Sequence, residues 1–188
     1  MTVAGLLLAA GGGRRYGMPK ALVRHQGRLF VEHAAEVLRA GGCAPVVVVL
    51  GALAADVRST ASLSGSSLVD NPEWESGMGS SLRAGLAALA PSSCEAVVVL
   101  PVDTPGMTPS AVARLVSLAS SSALARATYD GVPGHPVLIG RDRWAEVSEL
   151  ATGDAGARPY LARHDAVAVP CEDVASGADV DRPEDLPG

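Results

Sequence analysis

The chain has 188 residues, with 15 basic against 20 acidic side chains and a formal net charge of −5, so it carries no surplus of Lys and Arg to displace phosphate counterions and is not a general nucleic-acid binder. A hydrophobic fraction of 48% supports a core and excludes a disordered chain, while an aromatic fraction of 3% excludes a base-stacking platform. At ~150 residues per domain the length predicts one domain spanning 1–188.

Val3–Ala10 reads as a fully buried strand, a short apolar run stopped by glycines. Gly11–Lys20 is a loop. Phe30–Ala40 is a helix with Phe30, Ala34, Val37 and Leu38 on one face and Gly41 as its stop. Pro45–Leu50 is a second buried strand, Leu53–Ala61 a helix and Ser67–Val69 a short strand. A loop over Asn71–Gly79 leads into a helix from about Ser80 to Leu89. Ala96–Leu100 is the third strong strand, ending at Pro101-Val102-Asp103. A helix over Pro109–Leu118 has Thr108 as N-cap and Pro109 at its first position. Ala125–Tyr129, the turn Asp130-Gly131 and His135–Ile139 read as paired strands. Asp142–Leu150 is helical, Thr152–Gly156 a loop, Arg158–Ala162 a short helix, Ala166–Val169 a last strand, and Ala175–Gly188 an acidic tail. Strands alternating with helices predict an α/β fold with a mainly parallel sheet covered on both faces. The break in alternation after Ser120 predicts that the sheet is mixed.

Cys43, Cys94 and Cys171 are far apart and form no CxxC pair, which predicts free thiols in a reducing compartment. The apolar runs are far shorter than the ~20 residues of a membrane span, and Met1–Gly5 lacks the basic region of a signal peptide. A cytoplasmic protein that engages neither nucleic acid nor membrane is expected.

No Asp or Glu precedes Glu32, yet Arg14, Arg15, Lys20, Arg24 and Arg28 supply five of the 15 basic residues within that stretch. Open α/β sheets bind ligands at the carboxyl ends of their strands, and this loop follows the first buried one. Consecutive glycines let backbone N–H groups approach an anion closely. Arg15 offers a planar fork to phosphate oxygens and Lys20 a movable point charge. The segment therefore reads as a phosphate cradle, although neither GxxxxGK[ST] nor a full GxGxxG is present. Asp103 falls on the same sheet edge. Facing a polyphosphate, a carboxylate there needs an intervening cation, and Mg2+ suits one or two carboxylates plus phosphate oxygens; a turn or cap residue is the plainer reading. The run Asp179–Asp185 reads either as a second carboxylate source or as a solvated terminus. His135 in Gly134-His135-Pro136 reads as structural or catalytic, and no Ser–His–Asp set has local support.

Taken together, Leu8-Ala9-Ala10-Gly11-x-Gly13-x-Arg15-x-Gly17-x-x-Lys20 resembles the LAAGxSxRxGxxK signature of MobA-like nucleotidyltransferases. Later motifs resemble the molybdenum cofactor cytidylyltransferase branch of that family. They run in order from Asn71-x-x-Trp74-x-x-Gly77-Met78-x-x-Ser81-Leu82-x-x-Gly85 through Asp103-Thr104-Pro105 and Gly134-His135-Pro136-Val137-Leu138. They end with Gly153-Asp154-x-Gly156-Ala157-Arg158 and Asp179-Val180-Asp181-x-Pro183-x-Asp185.

The resemblance implies a Rossmann-like three-layer αβα sandwich with a mixed sheet, residues 1–119 forming the nucleotide-binding part and 120–188 the acceptor-side part. It implies Mg2+-dependent transfer of CMP from CTP, or of another nucleotide, to a molybdopterin-type (pterin) phosphate with release of pyrophosphate, and a molybdoenzyme as downstream partner. Leu8, Ala9, Ala10, Gly11, Gly12, Gly13, Asn71 and Ser81 would line the nucleotide site. Arg15 and Lys20 would hold the triphosphate, Asp103 and Asp181 the metal, and His135, Gly153, Asp154 and Arg158 would face the acceptor. Ala9-Ala10-Gly11, rather than Ala-Gly-Gly, resembles users of CTP rather than GTP. The chain departs from the family pattern at Gly13, where a small polar residue is usual, at Tyr16, where Met is common, and at Thr104, where Gln is usual. Some relatives are named for NAD(P)H-dependent reduction of nicotine blue, so a reductase of an aromatic substrate is the second reading and a non-catalytic nucleotide-binding protein the third.

Overall fold

The computed structural model describes residues 1–188. β1 (Val3–Ala9) is buried throughout and is followed by the glycine loop and a two-residue-strand hairpin, β2 (Arg24–His25) and β3 (Arg28–Leu29). Then come α1 (Phe30–Ala40), β4 (Val46–Leu50), α2 (Ala54–Thr60), β5 (Ser66–Asp70) and α3 (Met78–Leu89). β6 (Ala96–Pro101), α4 (Pro109–Val116), β7 (Leu124–Tyr129) and β8 (Val132–Gly140) follow. The chain continues through α5 (Trp144–Leu150), α6 (Arg158–Leu161) and β9 (Val167–Pro170).

Seven strands form one sheet in the order β5-β4-β1-β6-β8-β7-β9. β1 pairs in parallel with β4 and β6, and β7 in parallel with β9, while β8 is antiparallel to both its neighbours. The sheet is thus mixed and mainly parallel, with β8 alone reversed. Side chains alternate along each strand, so β1 feeds two cores. Val3, Leu7 and Ala9 pack with α1, α2 and α4 on one face. Ala4, Leu6, Leu8 and Ala10 pack with α3, α5 and Tyr160 of α6 on the other. The result is the expected three-layer sandwich. All three cysteines are free and buried, and burial pushes the Cys43 thiol up to about 12. No helix is long and apolar enough to cross a membrane.

The sheet order reverses direction at β1. The chain first builds outward through β4 and β5, then returns to lay β6 on the opposite side. The loops after β1 and β6 therefore diverge and leave a crevice at their carboxyl ends, which is where open α/β sheets bind ligands.

The acidic terminus does not trail into solvent. Val180, a lone apolar residue among acids, is 2% exposed, and its N–H donates to the Asp103 carbonyl at 2.8 Å. Upstream, Ser176 N–H donates to the Gly106 carbonyl and the Thr108 hydroxyl to the Val174 carbonyl. Thr108 also caps α4 by accepting the Ala111 N–H, a contact type worth about 1 kcal/mol. These bonds bring the terminus across the end of β6.

Candidate functional site

A cavity of about 390 Å3 opens at the crevice, within the size range of small-molecule sites. Its floor is Leu8 and Ala10 from β1 and its end, and Pro101, Val102 and Asp103 from β6 and its end. Gly11–Arg15 and Lys20 form one wall, Trp74, Glu75, Gly77, Met78 and Ser81 the other, and Asp154 and Asp181 the rim.

The glycine loop is bent by its own geometry. Gly13 has φ +64°, and a Cβ there would collide with the Met18 carbonyl oxygen. A polar side chain at this position, usual in the resembling sequences, would need a different loop path. Across the cavity, Gly77 has φ +114°, and a Cβ would run into Gly153 and Asp154. The absence of a side chain lets the Gly153–Gly156 loop close on the first turn of α3. That turn, which lines the cavity through Met78 and Ser81, carries no acidic residue to oppose the partial positive charge of a helix N-terminus.

Lys20 stands at the centre. Its ammonium donates to Asp103 Oδ2 at 3.1 Å and to Asp181 Oδ1 at 2.9 Å, and Arg15 donates to Asp181 Oδ2 at 3.0 Å. The Lys20 and Asp103 side chains are 15% and 23% exposed, against 72% and 42% for Arg15 and Asp181, so the Lys20–Asp103 pair is the less screened of the two. Burial alone pulls the Lys20 ammonium down, but its hydrogen bond to Asp181 and the Asp103 charge overcome it and its pKa is raised. Burial pushes Asp103 up against the opposing pull of Lys20, while the hydrogen bond and charge of Lys20 hold Asp181 down. The two carboxylates thus differ in proton affinity, the usual consequence of unequal burial. Asp179 joins them: oxygens of Asp103, Asp179 and Asp181 lie within 4.8 Å of one another. This is a set of hard oxygen donors of the type that Mg2+ or Mn2+ prefers.

Of the expected residues, Leu8, Ala10, Gly11, Gly12, Gly13, Arg15, Lys20, Ser81, Asp103, Asp154 and Asp181 meet at this cavity. Ala9 does not line it, because strand alternation turns it into the opposite core. Asn71 is 3% exposed and acts one layer back. Its amide donates to the Ser80 and Ser81 hydroxyls, and its oxygen accepts the Glu73 N–H, fixing the Trp74 loop against the start of α3. Trp74 packs over Gly12 and Gly51 as a result. Gly153 supports the rim rather than lining it. His135 and Arg158 lie in a second cavity of about 100 Å3, which shares Leu8 and Met78 with the first. The residue reading did not single out Arg126, in that second cavity, or the wall role of Glu75. The one charged residue in the strand Leu124–Tyr129 was the available signal for the former.

Burial and then the Arg126 guanidinium push the His135 imidazole down to about 4, with Asp179 opposing and Arg158 adding to the effect. His135 is therefore neutral in the folded protein near neutral pH. The unfolded chain binds the extra proton below about pH 6.5, so the stabilisation is complete above that value and is lost as pH falls towards 4. Relative to a His135→Gln variant, the native chain should lose about 2 kcal/mol more stability between pH 7.5 and pH 4.5. Urea unfolding of both proteins at the two pH values measures this; equal losses would remove the imidazole as the cause.

The MobA-like NTP transferase domain model matches residues 5–167. Nicotine blue oxidoreductase of Paenarthrobacter nicotinovorans is 39% identical over 194 residues, covering 98% of this chain and 94% of that protein. Molybdenum cofactor guanylyltransferase of Cereibacter sphaeroides is 35% identical over 193 residues, covering 99% and 94%. Among solved structures, Rv0371c of Mycobacterium tuberculosis H37Rv superposes with a TM-score of 0.83 at 27% identity, covering 98% of this chain and 95% of that one. The same protein in complex with manganese superposes with a TM-score of 0.78 at 25% identity, covering 90% and 88%.

Proposed function

The chain belongs to the MobA-like NTP transferase family, and on that premise we propose that it transfers CMP from CTP to a molybdopterin-type phosphate, releasing pyrophosphate. The observation that carries this reading is the junction of the glycine loop, Lys20 and the Asp103–Asp181 pair at the β1/β6 crevice. Backbone N–H groups, a lysine and an arginine suit a triphosphate. Two carboxylates beside them would repel it without a cation. Asp103 and Asp181, with Asp179 close by, fit a divalent ion by donor type and mutual distance. The bound ion would polarise the α-phosphate and neutralise the departing pyrophosphate.

The protein's own work in this reading is positional and electrostatic. Gly11–Gly13 and the first turn of α3 orient the phosphates. Lys20 exchanges carboxylate oxygens for phosphate oxygens, which an ammonium on a flexible stem can do without moving the backbone. Trp74 covers the Gly12 side of the cavity.

Ala10 supports CTP over GTP. It is 3% exposed and lines the floor, so its methyl takes room that a glycine would leave beside a purine. Steric discrimination of this kind reaches on the order of 10²-fold. A pyrophosphate-release assay with pterin phosphate acceptor and mixed CTP and GTP should show CTP consumed in that excess. Equal use of both would sink the base assignment while leaving the transfer reaction standing.

The identity to nicotine blue oxidoreductase favours one second reading, NAD(P)H-dependent reduction of an aromatic substrate. Hydride transfer has no need of the Lys20-bridged carboxylates. In the same assay vessel, oxidation of NADPH by an aromatic acceptor without pyrophosphate release would establish that reading instead.

A further inference from the structure

Both polar atoms of the buried Asn71 side chain are engaged within the protein. Its oxygen accepts the Glu73 N–H at 3.0 Å. A backbone N–H can only donate, so the amide cannot be turned over, and its NH2 group must face the two serines. It donates to Ser80 Oγ at 2.8 Å and to Ser81 Oγ at 3.0 Å. Both hydroxyls are therefore acceptors towards Asn71, and they differ in what becomes of their own hydrogens. Ser80 donates back to the Gly77 carbonyl at 2.8 Å, with the Glu73 carbonyl at 3.0 Å as its alternative. Ser81 is 4% exposed, lines the main cavity, and donates to no group of the protein. Turning its hydrogen towards Asn71 would set O–H against N–H. That hydrogen is left for whatever occupies the cavity.

We propose that Asn71 is a positioning residue that holds the Ser81 hydroxyl as a hydrogen-bond donor, so that this wall of the main cavity selects an acceptor atom of the bound nucleotide. A base carbonyl, a sugar oxygen and a phosphate oxygen share that chemistry. Asn71 itself touches no ligand, because its amide is fully used and does not line the cavity. A hydroxyl free to rotate adapts to donors and acceptors alike. With Asn71 in place, a ligand group that only donates leaves the Ser81 hydrogen buried and unsatisfied, which is the kind of mismatch a polar site rejects most strongly. The assignment deepens the nucleotide reading and rests on it.

Calorimetric titration of the whole chain with CTP plus Mg2+ tests this through a double-mutant cycle. Ser81→Ala should raise the CTP Kd about tenfold, the scale of one hydrogen bond lost at a buried site. Asn71→Asp keeps the size of the side chain and the bond from the Glu73 N–H, but reverses the side that faces the serines: a carboxylate accepts, and both hydroxyls turn their hydrogens to it. It should raise Kd by about tenfold or more, and adding Ser81→Ala should then change Kd by less than about twofold. An undiminished cost of Ser81→Ala in the Asn71→Asp background would mean that the two residues act independently, and overturns the proposal. Asn71→Ala covers a failure of the buried carboxylate to fold. It frees the Ser81 hydroxyl to bond the helix carbonyl four residues before it, so Ser81→Ala should again cost less than in the native chain. Shortened ligands then locate the acceptor atom. Inorganic triphosphate, ribose 5-triphosphate and CTP are titrated into the native chain and Ser81→Ala, and the shortest whose Kd depends on Ser81 identifies a phosphate, a sugar or a base acceptor. Equal Kd values in the two proteins for all three ligands overturn this assignment alone. A native chain that binds no CTP overturns the nucleotide reading and this assignment with it.

Discussion

Replacing Asp103 by Asn should lower nucleotidyl transfer by about 10²-fold or more, the scale seen when one electrostatic stabiliser of a transition state is removed. The substitution keeps shape and takes away one hard anionic donor. Asp103 is the member of the pair whose position the backbone fixes most firmly: it stands two residues past the buried end of β6, and its carbonyl is held by the Val180 N–H. Folding should be intact, because its carboxylate is already pushed towards the neutral form by burial and only Lys20 is left with one partner fewer. Steady-state rates at saturating CTP and Mg2+ measure the effect. A rate within a few-fold of native would remove Asp103 from the chemistry.

The second large effect falls on Lys20. Lys20→Ala should weaken CTP binding by ~2 kcal/mol or more, roughly 30-fold, the range for losing one member of a charge-assisted contact. Two consequences separate this residue from a mere surface charge. The partly buried Asp103 and Asp181 are left facing each other without a bridging ammonium. Their mutual repulsion should raise the affinity of the apo protein for a divalent ion even as the triphosphate is lost. Calorimetry with CTP and with Mn2+, each alone, reads both signs; an unchanged CTP Kd in a folded variant would take the loop out of the site.

Much of this site was legible because its parts are local. The glycine run, Arg15 and Lys20 sit in one acid-free stretch after one buried strand, and β1, α1, β4 and β6 announce themselves by apolar runs and by the Gly41 stop. The β2–β3 hairpin was not legible, since two-residue strands around Gln26-Gly27 are too short to show a period. The start of α3 moved to Met78 because Gly77, at φ +114°, ends the preceding turn instead of interrupting the helix later. Asp181 could be matched by pattern, but its approach to Asp103 depends on Val180 burying itself at the end of β6, a tertiary event with no local signature. Strand parity explains Ala9, which shares a motif with Leu8 and Ala10 yet belongs to the other core. Arg126 is the reverse case. Its burial and its unpaired Nε emerge only when β7, β8 and α6 come together.

The most direct test of the central claim is the anomalous scattering of manganese in crystals grown with CTP and Mn2+. One anomalous peak is expected between the carboxylates of Asp103 and Asp181, with the triphosphate along Gly11–Gly13 and the Lys20 ammonium moved from carboxylate to phosphate oxygens. A triphosphate bound away from the glycine loop, or manganese bound away from both carboxylates, would contradict the claim.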